Sequence, residues 1–164
     1  MQLVLSERQT LDIVKIFEPA KDYPTRSIPG TLALLEKNAE LWNVHQRESL
    51  YQELIEAGLD STRLERMDNA ELTRAVVARF RDTLPDPKRV SLDNLSLPLS
   101  ILRQSRDKMI AHNEVIEPSA LQTSTWGEAI SLANYAKEFV ATLGAGYLGL
   151  LFGEGSKNYL LMNE

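Results

Sequence analysis

Apolar residues recur along this chain at steps of three and four, and prolines and glycines cut the pattern into segments. No stretch shows the convincing period-two alternation of a half-buried strand, and no internal repeat is evident. The pattern predicts an all-α fold. Leu3, Leu5, Leu11, Ile13, Val14, Ile16 and Phe17 give a short first helix its apolar face, and Pro19 stops it. The three prolines of "PAKDYPTRSIPG" predict an extended connection rather than a helix. A long second helix is expected from Thr31 to Ala57, with Leu32, Leu35, Ala39, Trp42, Leu50 and Leu54 near one face and Gly58 ending it. A third follows a cap at Asp68 or Asn69, carries Leu72, Val76, Phe80 and Leu84 at steps of four, and meets Pro85. After the loop "PDPKRVSLDN", Ser96 caps a fourth helix with Pro98 in its first turn, where a missing amide hydrogen costs little.

The last helix opens on Thr125-Trp126-Gly127-Glu128, which has the form of a capping box, and runs to about Phe152. Trp126, Ile130, Ala133, Phe139 or Val140, Leu143, Tyr147 and Leu150 mark its apolar face. Gly144, Gly146 and Gly149 each cost about 1 kcal/mol of helix propensity against alanine. Their smallness would let another helix approach closely.

Composition narrows the class. The 164 residues, 43% apolar and 25% charged, fit one domain over 1–164, with 153–164 as a flexible tail. A net charge of −5 gives no overall pull toward nucleic acid, so any polyanion site has to be local. The absence of cysteine excludes disulfides, thiolate zinc sites and a cysteine nucleophile. The start "MQLVLSERQTLDIVKIF" lacks the basic leader of a signal peptide, and "VATLGAGYLGLLF" is shorter than the roughly 20 residues of a spanning helix. A cytoplasmic protein with no membrane association is expected.

The fourth helix poses the chemical question. Leu95, Leu99, Leu102, Arg106, Met109 and Asn113 fall at alternating steps of four and three, the spacing of a packed seam, and one member is an arginine. A guanidinium cannot neutralise itself by losing a proton, so in a seam it must be paired, wet or bound to an anion. A salt bridge to a nearby carboxylate, a snorkelling side chain and an anion site all meet that requirement. His112 lies about 9 Å and about 240° further along the helix, so it does not stack on Arg106. The two converge if Arg106 stretches, if the helix unwinds, or if a two-fold copy brings both pairs into one cleft. His45 reads as a capping or surface residue.

Other chemistry is poorly represented. No "HExxH" or other recognisable ligand spacing surrounds His112, which argues against a metal site or cofactor. "GTLALLEK" and "GAGYLG" lack the P-loop lysine pattern, and no Gly-x-Ser-x-Gly elbow occurs. "QRES" and "RLER" are mixed-sign patches rather than basic stripes. What remains is the constellation Arg106, Asp107, Lys108, His112 and Asn113.

These residues resemble the HEPN superfamily, whose mark is an arginine and a histidine separated by four to six residues, often with a polar residue after the arginine. "RDKMIAH" fits, with Arg106, Asp107 and His112 at the signature positions. The wider strings "LSILRQSRDKMIAHN", "TWGEAISLANYAKEF" and "IFEPAKDYPTRSIPGTLALL" look like the AbiU-type abortive-infection branch, a likeness covering most of residues 10 to 152. The resemblance implies an up-and-down bundle of four to five main helices that dimerises with its motifs facing each other. In active members it implies a metal-independent RNA endonuclease of a phage-defence or toxin–antitoxin system. Arg106, His112 and Asp107 would be catalytic, and Ser105, Lys108 and Asn113 would contact substrate. The implied partners are a second copy of the chain, RNA, and a nucleotidyltransferase-type or other antitoxin. The alternative is a non-catalytic dimerisation or interaction module that binds a partner protein or a nucleotide.

Overall fold

A computed structural model describes residues 7–19, 24–86, 95–111 and 126–150. Among them are seven α-helices and no strand: α1 (Glu7–Phe17), α2 (Ile28–Lys37), α3 (Arg47–Glu56), α4 (Ser61–Arg66), α5 (Asn69–Thr83), α6 (Ser96–Ala111) and α7 (Trp126–Leu148). Single 3-10 turns cover Pro24–Arg26 and Ala39–Leu41. The all-α expectation holds. The helices group into two compact units, Met1–Gly30 with Leu84–Ala136 and Thr31–Thr83 with Lys137–Glu164, and α2 and α7 contribute to both. No helix of the described residues is long and apolar enough to cross a membrane.

In the first unit α1 lies against α6. Val14 and Phe17 on α1 are buried with Leu99 and Leu102 on α6, and Ala129, Leu132 and Tyr135 of α7 belong to the same core. The rings of Phe17 and Tyr135 meet at 5.9 Å between centroids. The chain leaves helical geometry after Phe17, as Pro19 predicts, and Pro98 sits in the first turn of α6. Ser96 is buried, and its hydroxyl accepts the Asp86 N–H at 2.9 Å, which ties the incoming chain to the start of α6.

The second unit is built on α5. Asp68 and Glu71 form a reciprocal cap, the Asp68 carboxylate accepting the Glu71 N–H at 2.8 Å and the Glu71 carboxylate the Asp68 N–H at 3.0 Å. Leu72, Val76 and Phe80, read from their spacing, are fully buried. Phe80 meets Phe139 edge-on at 5.1 Å, and the buried Tyr147 hydroxyl donates to Thr73 at 3.0 Å. Arg47 fixes the link between α4 and α5 by donating to Asn69 Oδ1 and the Met67 carbonyl at 2.6 and 2.5 Å.

Several expectations are corrected. The proline-rich connection is helical at its end, since α2 starts at Ile28 and carries Pro29 in its first turn. The long second helix does not form. It breaks after Lys37 into a 3-10 turn and an extended segment with Trp42 at ψ 124°, and helix resumes at Arg47. The break is sealed from far along the chain, because the Gly146 carbonyl accepts the N–H groups of both His45 and Gln46, at 2.7 and 3.2 Å. Trp42 therefore leaves the helix face and packs edge-on against Tyr147 at 5.9 Å. The short α4 was not anticipated, although Asp60 caps it by accepting from Thr62 and Arg63.

Gly58, with φ at 90°, follows the end of α3 where it was expected. Gly146 does permit a close approach, since a Cβ there would sit 2.3 Å from Leu50 Cδ2. α7 stops at Leu148 rather than near Phe152, because Gly149 adopts φ 64° and the Leu150 N–H turns back to the Gly144 carbonyl. Its buried face is the expected one only in part, through Phe139 and Tyr147. Ala129, Leu132, Tyr135, Phe139 and Tyr147 are buried, whereas Ile130, Ala133 and Val140 are exposed. The expected features at Leu3, Leu5, Thr125 and the 153–164 tail lie outside the described residues.

Candidate functional site

The α6 seam holds as far as it is described. Leu99 and Leu102 are buried, and Arg106, one step further on, is half-buried with 21% of its side chain exposed. Of the three ways to keep a guanidinium there, pairing is the one observed. Arg106 Nη1 donates to Glu18 Oε1 at 2.6 Å, while its Nε and Nη2 both reach Asp107 Oδ1 at 2.8 Å.

Glu18 is placed by α1. Phe17, its neighbour, is anchored in the core, so the carboxylate emerges just past the helix C-terminus, where the helix dipole disfavours an anion. Two guanidiniums offset that. Arg103, three residues before Arg106 and on the same face of α6, donates to the same Oε1 from Nε at 2.9 Å and approaches it with Nη2 at 2.8 Å. Burial pushes the Glu18 carboxyl up, but the hydrogen bonds and charges of Arg106 and Arg103 together outweigh it, so the net shift is downward. Burial likewise opposes the Arg106 charge, and Glu18 and Asp107 overcome it, leaving the guanidinium more firmly protonated than usual.

The structure therefore brings Arg106 and Asp107 together, with Ser105 half-buried between Arg106 and Gln104 in sequence on the same helix. Lys108 belongs to α6; its side chain, and the whole of His112 and Asn113, lie outside the described residues. Sequence reasoning missed Arg103 and Glu18. The three-residue step from Arg103 to Arg106 was a usable signal for the first. Nothing local points to Glu18, which is 88 positions from Arg106.

A second charged cluster lies in the other unit. Glu53 of α3, with 9% of its side chain exposed, faces Arg79 Nη2 at 3.2 Å, and Glu138 of α7 shares that nitrogen at 3.6 Å. Thr142 donates to Glu53 Oε2 at 3.5 Å, and Arg79 Nη1 donates to Thr83 at 2.8 Å. Burial and the charge of Glu138 push the Glu53 carboxyl up, with Arg79 opposing them only in part.

No protein-family model matches this chain, and no curated protein or solved structure matches it.

Proposed function

We propose that the chain is a HEPN-type, metal-independent RNA endonuclease of a bacterial defence or toxin–antitoxin system, acting in the cytoplasm as a two-fold dimer. The observation that carries this reading is that two guanidiniums, Arg103 and Arg106, converge on one carboxylate oxygen of Glu18. A pair of forked donors aimed at a single oxygen is the arrangement that stabilises a phosphate oxygen in a phosphoryl-transfer transition state.

In this mechanism the phosphate replaces or joins the Glu18 oxygen on the two arginines. Neutral His112, with a reference pKa of about 6.5, takes the proton of a ribose 2′-hydroxyl. The 2′-oxygen then attacks phosphorus, the bond to the 5′-oxygen breaks, and the partner's His112 delivers a proton to that oxygen. The products are a 2′,3′-cyclic phosphate and a 5′-hydroxyl. Asp107 orients Arg106 from its own helix, and Lys108, Asn113 and Ser105 contact the RNA.

The test is incubation of pure protein with RNA in EDTA, with the ends of the products identified. Cleavage yielding cyclic-phosphate ends is expected from the native chain, with losses of at least about 100-fold in Arg106→Ala and His112→Ala. Intact RNA, or cleavage that survives both substitutions, defeats the proposal.

The pairing of Arg106 within its own chain favours a second reading, a non-catalytic dimerisation or interaction module that binds a partner protein or a nucleotide. Under it the arginine serves only to hold α1 on α6. Arg106→Ala would then lower stability, with no RNA cut by either protein.

A further inference from the structure

The segment "RLER", of mixed sign in sequence, changes character in the fold. Arg63 and Arg66 lie three apart on α4 and so share a face with Cβ atoms about 5–6 Å apart. α5 follows and adds Arg74. With Met67, Glu71 and Ala75 these arginines line an open trough of about 490 Å3. Arg63, Met67 and Ala75 also line an adjoining depression of about 530 Å3 that continues past Ala78 to Asp82 and Thr83. From Glu71 to Thr83 the trough follows α5 for about 18 Å.

The charges here are available in a way that those of Arg103 and Arg106 are not. Arg63 and Arg66 are exposed, and neither joins an ion pair among the described residues. Glu71, the acid at the same end, is held by the Asp68 N–H in the cap of α5. Arg74 pairs with Glu40, an exposed contact that solvent screens. In a chain with net charge −5 this is a local basic site against the overall field.

Its shape selects the ligand. A small molecule is held in a cleft that covers most of its surface, whereas an open trough of this length suits an extended polymer. Planar guanidiniums pair bidentately with phosphate oxygens, and the step between Arg63 and Arg66 is of the order of that between successive phosphates on a nucleic acid strand. The floor offers methionine and alanine and no aromatic ring, so it would hold a backbone without reading bases. We infer that the trough between α4 and α5 is a binding groove for the sugar–phosphate backbone of single-stranded RNA, with Arg63 and Arg66 each holding a phosphate. This rests on the reading of RNA as the substrate class.

The experiment is fluorescence anisotropy of the full chain with a 2′-O-methylated RNA strand, which lacks the attacking hydroxyl, over about 50 to about 200 mM salt. Arg63→Ala/Arg66→Ala lowers the slope of log affinity against log salt by about 1.4, about 0.7 for each phosphate of a single strand that is no longer neutralised. Lys15→Ala, an exposed cation on α1, keeps the native slope. Both arginines are exposed, and an unchanged circular dichroism melt verifies that the variant is folded. An unchanged slope in the double variant, an equal fall in Lys15→Ala, or competition by polyglutamate as strong as by unlabelled RNA overturns the inference; the last outcome would make the trough an acidic-peptide site. The two proposals separate cleanly. RNA bound through Arg63 and Arg66 but never cut defeats the nuclease and leaves the groove, whereas RNA cut with no change of slope defeats the groove and leaves the nuclease.

Discussion

Glu18 and Glu53 are both carboxylates largely withdrawn from water and facing arginine, yet their protons respond in opposite directions. Glu18 has two guanidiniums on one oxygen, and its pKa is lowered. Glu53 shares one guanidinium with a second carboxylate, Glu138, and its pKa is raised. Burial acts upward on each, so the number of cations per anion decides the sign. Around Glu18 two cations face one anion, and the other acid on Arg106, Asp107, is exposed. The second cluster is short of cation and suited to receive a proton.

The largest effect should come from removing Arg79, the only guanidinium facing Glu53 among the described residues. Arg79→Met leaves the buried Glu53 carboxylate without its cation, and breaking a buried pair in this way costs about 3 kcal/mol. Chemical denaturation near neutral pH should show that loss. It should shrink as the pH falls, because Glu53 then protonates and no longer needs a partner. A loss independent of pH would mean that Arg79 acts through packing on Phe80, over whose ring it lies at 5.9 Å.

Glu18→Gln is next, at about 2 kcal/mol near neutral pH, since two half-buried guanidiniums are left with a neutral acceptor. The pH dependence follows from the lowered pKa. The ionised Glu18 contributes stability that is fully present above its unfolded value, about 4.3, and is lost as pH falls through the lower folded value. The gap between native protein and Glu18→Gln should therefore close in acid. Glu53→Gln should move the other way, raising stability by about 1 kcal/mol near neutral pH, because it mimics the protonated form that the site favours. A raised folded pKa gives stability that is complete below about 4.3 and lost as pH rises through the folded value. The advantage of Gln should accordingly vanish as native Glu53 takes up its proton. Denaturation midpoints measured across that range check both signs.

These clusters also mark where sequence stops being informative. Leu72, Val76 and Phe80 were legible because one helix face meets the core along its length, and Gly58 because a positive φ demands it. The seam of α6 was legible through Leu99 and Leu102, and with it the anomaly of Arg106. The break between α2 and α3 was not, since the His45 and Gln46 N–H groups are satisfied by the Gly146 carbonyl, about 100 positions further on in α7. The face of α7 was legible only in part, through Phe139 and Tyr147, because apolar residues nearly encircle it and Ile130 and Val140 turn out exposed. Glu18 on Arg106 and Glu53 on Arg79 are likewise long-range partners, at 88 positions for Glu18, and periodicity within one helix carries no information about them. In the trough, local reading failed by sign, because Arg74 joins Arg63 and Arg66 only in the fold.

The smallest expected effect bears on the count itself. If Asp107 is a full partner of Arg106, the first cluster holds two cations and two anions and has no surplus for phosphate. Asp107 is 61% exposed and adjacent to Arg106 in sequence, and exposed pairs contribute little after screening. Asp107→Asn should thus change stability by no more than about 0.5 kcal/mol. It should leave the acid titration of Glu18 in place, because that depends on the two guanidiniums. Removing one negative charge beside Arg106 should nevertheless tighten binding of the 2′-O-methylated strand severalfold, with a steeper salt dependence. A stability loss as large as that of Glu18→Gln, together with unchanged RNA affinity, would show that Asp107 completes the pairing. The first cluster would then hold one cation for each anion, still more than the single Arg79 shared by Glu53 and Glu138, but with no surplus for phosphate.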